Sequence, residues 1–416
     1  MTWADDEDSA SVVDVVALGN MCVDVLLPAS DPLPAATQLA SEAFMTELAD
    51  GTDESHWEVG GNCNFLIAAS RIGLRAECVG HVGEDEAGAF LSRALAEANV
   101  PLRRLASPAA VARAAAAAAR TLLCLVFTDG KGGHAFCSRY DLGPWPLLAD
   151  VQDVDDEAAR ALAKCKAVFV NGFVFDELKP SAVLAALSLA KANGASVFFD
   201  PGPRAHTFLS GPERSAALDT VLGAADVVIA TTEEAAALTG ADPTAVEGAM
   251  APALVARAVF DRPGCAAKWV VVKRGAEGAA IFTRRGDQVY AGAIDVEVRD
   301  TVGCGDAAAA AFVLGYLKID AKRRKLFEAS SGKIAYLPNG TLADMMEETL
   351  TLAAAVGAAT ATEVGAGRKV ANADKVRELL EACADADEEE GKRRGINPKA
   401  AKRARSLMND MIRFGM

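Results

Sequence analysis

Four short runs of β-branched and aromatic residues recur between helical stretches in the middle of the chain, and this alternation limits the folds open to it. The runs occupy residues 167–171, 196–200, 225–230 and 268–273. Strands that alternate with helices form parallel sheets covered on both faces, so the sequence predicts a doubly wound α/β domain. A chain of 416 residues, 51% of them hydrophobic, is long enough to bury the core of such a domain.

A second, smaller sheet is predicted from the N-terminal third of the chain. After a first strand at 12–18, an extended run lies at 22–27, and two more lie at 121–127 and 135–137 with an Asp-Gly turn between them. We expect the hairpin 121–137 to pair near the run at 22–27 and to stand off the main body.

Two segments have the composition of insertions. Residues 29–53 are rich in Pro, Ala and acidic side chains, and residues 318–349 contain a cluster of Lys and Arg and a Pro-Asn-Gly turn. The last residues, 381–416, combine an acidic run with a basic one, which is typical of a solvated tail or a terminal helix.

Composition excludes several classes of function. The net charge of −15 argues against nucleic acid as the main partner, because phosphate binding needs clustered Lys and Arg. No apolar run reaches the ~18 residues that would cross a membrane, and residues 1–14 lack the pattern of a signal peptide. Nine cysteines without a CxxC pair and four scattered histidines argue against a disulfide framework and a zinc site. We therefore predict a protein of the cytoplasm or the plastid stroma that is not secreted.

The clearest chemical signal is the segment 300–308, Asp-Thr-Val-Gly-Cys-Gly-Asp-Ala-Ala, between a run at 291–299 and a long Ala-rich helix. Its glycines allow a ligand close to the backbone, and the N–H groups of the first helical turn form an anion site. A carboxylate in this turn would repel a bound anion. Asp306 is better explained as a base that takes a proton from an attacking hydroxyl.

Two alternative roles for this segment stay open. Gly303, Gly305 and Ala308 satisfy the loose dinucleotide fingerprint, although that pattern normally opens a strand–helix–strand unit with an acidic residue after the next strand. The second alternative is a glycine-rich helix start without chemistry, in which Asp306 is a plain N-terminal carboxylate.

The same segment resembles the second signature of the PfkB (ribokinase-like) family of carbohydrate kinases, an Asp-Thr-x-Gly-Ala-Gly-Asp motif. The matching residues are Asp300, Thr301, Gly303, Gly305 and Asp306. The first family signature is also present, and its matching residues are Gly60, Gly61, Asn64, Gly73 and Gly83. Two signatures in the right order are far more specific than either one alone.

The resemblance implies a fold, an activity and partners. The fold is a doubly wound, mostly parallel sheet over about residues 12–380, with a small β-sheet lid that includes 22–27 and 121–137, followed by the charged tail 381–416. The activity is transfer of the γ-phosphoryl group of ATP to a hydroxyl of a sugar such as ribose or fructose. It would use Mg²⁺ and a monovalent cation such as K⁺, and the lids would pair in a homodimer.

The resemblance also implies roles for individual residues. Asp306 would be the base, with an anion hole formed by Gly303, Cys304 and Gly305. The implied substrate-binding residues are Asp24, Asn20, Gly60, Gly61, Asn64 and Arg204. The implied cofactor-binding residues are Thr231, Glu234, Lys273, Gly275, Gly278 and Thr301. Glu234 would act on the magnesium ion, and Asp300 with the Val302 carbonyl would hold the monovalent cation.

Two departures from the family pattern leave alternatives. Thr231 stands where an Asn is usual, and Cys304 replaces a small residue. A nucleoside kinase of the same family, or a related protein that has become a scaffold, would also fit. Because Asp306 and both flanking glycines are present, the sequence favours an active enzyme.

Overall fold

The computed structural model describes most of the chain. The described residues are 13–29, 47, 51–105, 120–128, 134–142, 155–240, 251–333, 336–365, 367–387, 389–391 and 395–414.

We number the elements in chain order. The strands are β1 (Val13–Leu18), β2 (Met21–Pro28), β3 (Trp57–Gly61), β4 (Ala76–Gly80), β5 (Leu102–Arg104), β6 (Leu122–Thr128), β7 (His134–Ser138), β8 (Cys165–Asn171), β9 (Ser196–Asp200), β10 (Val227–Thr231), β11 (Trp269–Lys273), β12 (Ala279–Thr283) and β13 (Gln288–Ala291). The α-helices are α1 (Asn62–Arg71), α2 (Glu86–Glu97), α3 (Asp156–Lys164), α4 (Val174–Glu177), α5 (Pro180–Ala192), α6 (Pro212–Ala224), α7 (Thr232–Thr239), α8 (Ala251–Asp261), α9 (Cys304–Ala329), α10 (Asn339–Ala361), α11 (Ala373–Ala384) and α12 (Pro398–Phe414).

The larger sheet has the strand order β13-β12-β11-β10-β9-β8-β1-β4-β5. In the part of this order that runs from β11 to β5, every pair of neighbouring strands is parallel. Strands β12 and β13 add an antiparallel edge. The carboxyl ends of the parallel strands therefore meet at one edge of the sheet, where α/β proteins bind their ligands.

Both faces of this sheet are buried, as the strand β9 illustrates. Phe198 packs into the apolar cluster on one face together with Phe65, whereas Val197 and Phe199 pack into the cluster on the other face with Phe208. Successive side chains of a strand point to opposite faces, so a continuous apolar run fills two layers at once. The predicted doubly wound, mostly parallel sheet is confirmed.

The smaller sheet has the order β3-β2-β6-β7. Strand β2 pairs with β6 in parallel, and β6 pairs with β7 antiparallel, so the predicted lid strands are confirmed. Strand β3 completes the sheet by antiparallel pairing with β2, in a register that places Glu58 opposite Asp24. The predicted Asp-Gly turn lies outside the described residues.

The segment 318–349, which we expected to be an insertion, is mostly helical. Helix α9 continues to Ala329, and α10 begins at Asn339. The basic cluster does not break α9 because Asp320 accepts hydrogen bonds from Arg323 and Arg324, one turn further along the helix.

The run at 291–299 is also less regular than expected. Strand β13 ends at Ala291, and residues 292–298 belong to no strand or helix. The Gly292 N–H donates to the Gly395 carbonyl from the C-terminal segment instead of extending a sheet ladder.

The C-terminal segment contributes to the core. Ala401, Ala404 and Met408 of helix α12 are buried in the same apolar cluster as Phe198. Most of the segment 29–53 lies outside the described residues. Among the helices within the described ranges, none combines the length and apolar character needed to cross a membrane.

Candidate active site

The start of helix α9 has the geometry expected of an anion site next to a base. Gly303 has a left-handed backbone (φ 77°) and precedes the helix, and Asp306 lies in the first turn. The first N–H groups of a helix have no partners within the helix, so they are available to a ligand. Desolvation, followed by the charge of Asp200, raises the pKa of Asp306 to about 7. A carboxyl group with that pKa can accept a proton near neutral pH.

Asn64 lies beside this carboxyl group. Its Nδ2 donates to Asp306 Oδ2 at 3.4 Å, and its Oδ1 accepts from the Gly367 N–H at 2.8 Å. Because a backbone N–H can only donate, the contact to Gly367 fixes which end of the amide points to Asp306. The hydrogen bond lowers the pKa of Asp306, in opposition to desolvation.

Three charged groups meet at the carboxyl ends of β9, β10 and β11. Lys273 Nζ lies 2.6 Å from Asp200 Oδ2 and 3.9 Å from Glu234 Oε2. The two carboxylates raise the pKa of Lys273 against the effect of desolvation, so the lysine is a permanent cation. Thr231 and Glu234 form a reciprocal capping box at the start of α7, which fixes the glutamate at this edge of the sheet.

The lid contributes a second buried carboxyl group. Burial raises the pKa of Asp24 to about 7, with the charges of Asp306 and Glu58 adding to the effect. A Cβ on Gly60 would lie 2.1 Å from Asp24 Oδ1, so only glycine leaves room for this carboxyl group. The structure therefore brings Asp24, Gly60 and Asp306 to one site.

Asn20 lies between the first strands of the two sheets, and Gly61, at the end of β3, packs against it. Asn20 has a left-handed backbone (φ 52°), and its N–H donates to Glu177 Oε2 at 2.6 Å. A Cβ on Gly61, whose φ is 57°, would lie 2.3 Å from the Asn20 carbonyl oxygen. Gly61 is paired with Met21 in the ladder of β2 and β3, three residues before Asp24, and the implied substrate-binding roles of Asn20 and Gly61 stay predictions.

Arg204 lies under the lid with two acidic partners. It contacts Asp176 through Nε at 2.8 Å and Asp141 through Nη1 at 2.9 Å, and its guanidinium group covers the ring of Phe173. Its Nη2 is buried without a hydrogen-bond partner among the described residues. Burial raises the pKa of the Cys124 thiol in the lid, and the charge of Asp24 adds to this effect whereas that of Arg204 opposes it.

Asp300 stabilises the segment that precedes helix α9. Its Oδ1 accepts from the Val302 N–H at 3.0 Å and its Oδ2 from the Gly365 N–H at 2.9 Å. Thr301 is exposed between them. Burial, with the charges of Asp300 and Asp306, raises the pKa of the Cys304 thiol to about 12, so this thiol is not a nucleophile near neutral pH.

The turn after β11 carries the two glycines that the resemblance assigned to the nucleotide. Gly275 lies two residues beyond Lys273 with a left-handed backbone (φ 53°) and open space around it. Gly278 lies against β13, where a Cβ would be 2.0 Å from the Ala291 carbonyl oxygen, so packing alone requires this glycine.

Sequence reasoning assigned no role to three groups at this site. Asp200 ends a parallel strand, and its position at the carboxyl edge of the sheet was a usable signal. Glu58 and Arg368 form an ion pair between residues far apart in the chain, and no local pattern indicates such a contact.

Comparisons with known proteins agree with this geometry. The pfkB family of carbohydrate kinases matches residues 52–373. A protein of Shouchella clausii named 5-dehydro-2-deoxygluconokinase is 27% identical over 309 residues, which cover 73% of this chain and 83% of that protein.

Solved structures share the fold. An adenosine kinase from Sinorhizobium meliloti superimposes with a TM-score of 0.63 at 22% identity, covering 88% of this chain and 99% of that one. A putative ribokinase II from E. coli, solved in complex with ATP and Mg²⁺, superimposes with a TM-score of 0.59 at 20% identity. The match covers 89% of this chain and 100% of that one. The ribokinase-like fold is thereby established, and the family match extends over most of the chain. The chain therefore belongs to the pfkB family of carbohydrate kinases.

Proposed function

We propose that this carbohydrate kinase transfers the γ-phosphoryl group of ATP to a hydroxyl of an acidic sugar, with Asp306 as the general base. Asp306 itself carries the proposal. It lies in the first turn of α9 beside an anion site, and its pKa of about 7 suits proton transfer at neutral pH.

The proposed chemistry is an in-line displacement. Asp306 takes the proton of the acceptor hydroxyl, the hydroxyl oxygen bonds to the γ-phosphorus, and the bond from that phosphorus to ADP breaks. The N–H groups at the start of α9 and the ammonium of Lys273 face the negative charge of the phosphoryl group. Phosphoryl transfer depends mainly on such positioning and charge stabilisation.

A magnesium ion fits the oxygen ligands at this edge of the sheet. Mg²⁺ prefers carboxylate and water oxygens and screens the charge of the phosphates. The ammonium of Lys273 already lies between Asp200 and Glu234, so we expect Glu234 to hold the ion through water. Each Asp300 oxygen accepts one backbone N–H and keeps a lone pair, which suits a monovalent cation beside the Val302 carbonyl.

Two observations favour an acidic acceptor over ribose or fructose. The relatives matched by sequence are named for 5-dehydro-2-deoxygluconate, a sugar acid. Arg204 offers a buried guanidinium nitrogen with no hydrogen-bond partner among the described residues. A carboxylate would complete the hydrogen bonding of that nitrogen.

The test is ADP formation from ATP and Mg²⁺ with four acceptors: 5-dehydro-2-deoxygluconate, ribose, fructose and adenosine. We expect the highest kcat/KM with the sugar acid. Higher turnover of a neutral sugar would contradict the acidic acceptor, and preferred turnover of adenosine would identify a nucleoside kinase. If none of the four is phosphorylated, the proposed kinase reaction is wrong.

Arg204→Lys separates the acceptor assignment from the reaction itself. Lysine keeps a positive charge near Asp176 but loses the planar fork that binds a carboxylate. We expect KM for the sugar acid to rise about tenfold or more while KM for ATP stays within about twofold. Lys179→Arg, an exposed change at the start of α5, is the control.

A further inference from the structure

An ion pair whose glutamate is buried joins the lid to the loop that orients Asn64. Glu58 lies in lid strand β3, and its side chain is only 10% exposed. Its Oε2 accepts from the backbone N–H of Arg368 at 3.1 Å and from Arg368 Nε at 3.2 Å, and its Oε1 accepts from Nη2 at 3.3 Å. One carboxylate thus binds both the main chain and the side chain of the same arginine.

The loop that contains Arg368 has little freedom to move away from the lid. A Cβ on Gly367 would lie 2.6 Å from Glu58 Oε2 and 3.0 Å from the Val59 main chain. Glycine at this position therefore lets the loop lie directly on β3. Arg71 at the end of α1 also donates to the carbonyl oxygens of Arg368 and Val370, which ties the loop to the helix that carries Asn64.

This packing affects Asp306 through the side chain of Asn64. The Gly367 N–H donates to Asn64 Oδ1 at 2.8 Å, which leaves Asn64 Nδ2 to donate to Asp306 Oδ2. If Gly367 moved away, the amide of Asn64 would lose the group that fixes its orientation. The amide would then be oriented only by its own 3.4 Å hydrogen bond to the Asp306 carboxylate.

The same ion pair lies next to the substrate-binding carboxyl group of the lid. Glu58 is opposite Asp24 in the pairing of β2 with β3. The position of the lid strands and the orientation of Asn64 are thus linked through Arg368 and Gly367.

We propose that Glu58 and Arg368 are positioning residues: their ion pair holds the Gly367 loop on lid strand β3 and so keeps the Asn64 amide aligned with Asp306. This inference rests on the proposed function of Asp306. Neither Glu58 nor Arg368 contacts the reacting groups; both act through Asn64.

The experiment compares the kinetics of Glu58→Gln, Arg368→Gln and Asn64→Ala, alone and combined, using the acceptor of the four-compound panel that the unaltered chain phosphorylates best. Glutamine keeps the shape of Glu58 but loses its charge. We expect Glu58→Gln and Arg368→Gln each to lower kcat about 10- to 100-fold, because small displacements of a positioned group are costly, while KM for ATP stays within about twofold. Glu54→Gln is the matched control, since Glu54 forms an exposed ion pair with Arg93 just before the same strand; its kcat should not change.

The combined variants decide whether the effect passes through Asn64. With Asn64 already changed to Ala, Glu58→Gln should lower kcat by less than about twofold further, because the aligned amide is gone. Full multiplication of the two losses, or a normal kcat in Glu58→Gln, would overturn the inference. If Glu58→Gln does not fold, Arg368→Gln, whose arginine side chain is 44% exposed, provides the same comparison.

These outcomes are distinct from failure of the proposed function. If Asp306→Asn keeps normal turnover, the base assignment fails and this inference fails with it. If Asp306→Asn is inactive but both Glu58→Gln and Arg368→Gln have normal kcat, only the positioning role is wrong.

Discussion

Lys273 donates to Asp200 Oδ2 at 2.6 Å and so joins the carboxyl ends of β11 and β9 across the intervening strand β10. The two residues act on Asp306 in opposite directions, because the charge of Asp200 raises its pKa and the charge of Lys273 lowers it. In addition to the larger effect of burial, the pair therefore adjusts the pH range in which Asp306 can act as a base.

Replacing Asp200 by Asn should shift the pH dependence of the reaction. The substitution removes the negative charge that raises the pKa of Asp306 and leaves Lys273 less neutralised, so the pKa falls. Because the active form of Asp306 is the carboxylate, the acid limb of kcat/KM should move to lower pH by about one unit. Rates of ADP formation between about pH 5 and 9 measure this limb. A shift to higher pH would contradict the account, and Asp219→Asn, at an exposed carboxylate paired with Arg262, should cause none.

Asp24→Asn should stabilise the fold at alkaline pH while it impairs activity. Burial raises the pKa of Asp24 from 3.8 to about 7, so the folded state disfavours the carboxylate. The stability that the protonated form contributes is fully present below pH 3.8 and is lost as the pH rises through about 7. Asn keeps the neutral state at every pH. Urea denaturation should therefore show an advantage of the variant of up to a few kcal/mol at about pH 8 and almost none at about pH 4.

The opposite pH dependence of that stability difference would contradict the pKa assigned to Asp24. The exposed carboxylate Asp261 provides the control, because it forms an ion pair with Arg257 on the surface of α8. Asp261→Asn should not gain stability between the two pH values.

Gly60→Ala tests whether the Asp24 carboxyl group needs the space above this glycine. The new Cβ would lie 2.1 Å from Asp24 Oδ1, so the carboxyl group must move. We expect KM for the acceptor to rise about tenfold or more with KM for ATP nearly unchanged, because the displaced group lies at the lid. Gly340→Ala, where a Cβ meets open space in the first turn of α10, is the matched control. Equal changes in both KM values would argue for a general loss of structure.

The parts of the fold that were predictable from sequence are those with a strong local pattern. Strand β9 has the predicted bounds, since a short apolar run between two helices has few alternative structures. The length of α9 was not predictable in the same way. Its basic cluster has the composition of a loop, and only the contacts of Asp320 explain why the helix continues.

In the candidate site, too, only the residues that belong to local sequence motifs were predictable. The signature residues Asn64, Gly60 and Asp306 could be named because motifs carry them. Their supporting contacts could not, because the link from Glu58 to Arg368 depends on a packing of loop and lid that only the folded chain creates. Arg204 was named from the family resemblance, but its partners Asp176 and Asp141 became visible only in three dimensions.

The most direct test of the central claim is the turnover of Asp306→Asn, measured beside calorimetric ATP binding. Asn cannot accept the hydroxyl proton, yet it leaves the backbone anion site at the start of α9 in place. We expect kcat to fall at least about 100-fold while ATP affinity stays within a few-fold. Asp320→Asn, further along the same helix, should keep normal kcat. Near-normal turnover of Asp306→Asn would contradict the assignment of Asp306 as the base.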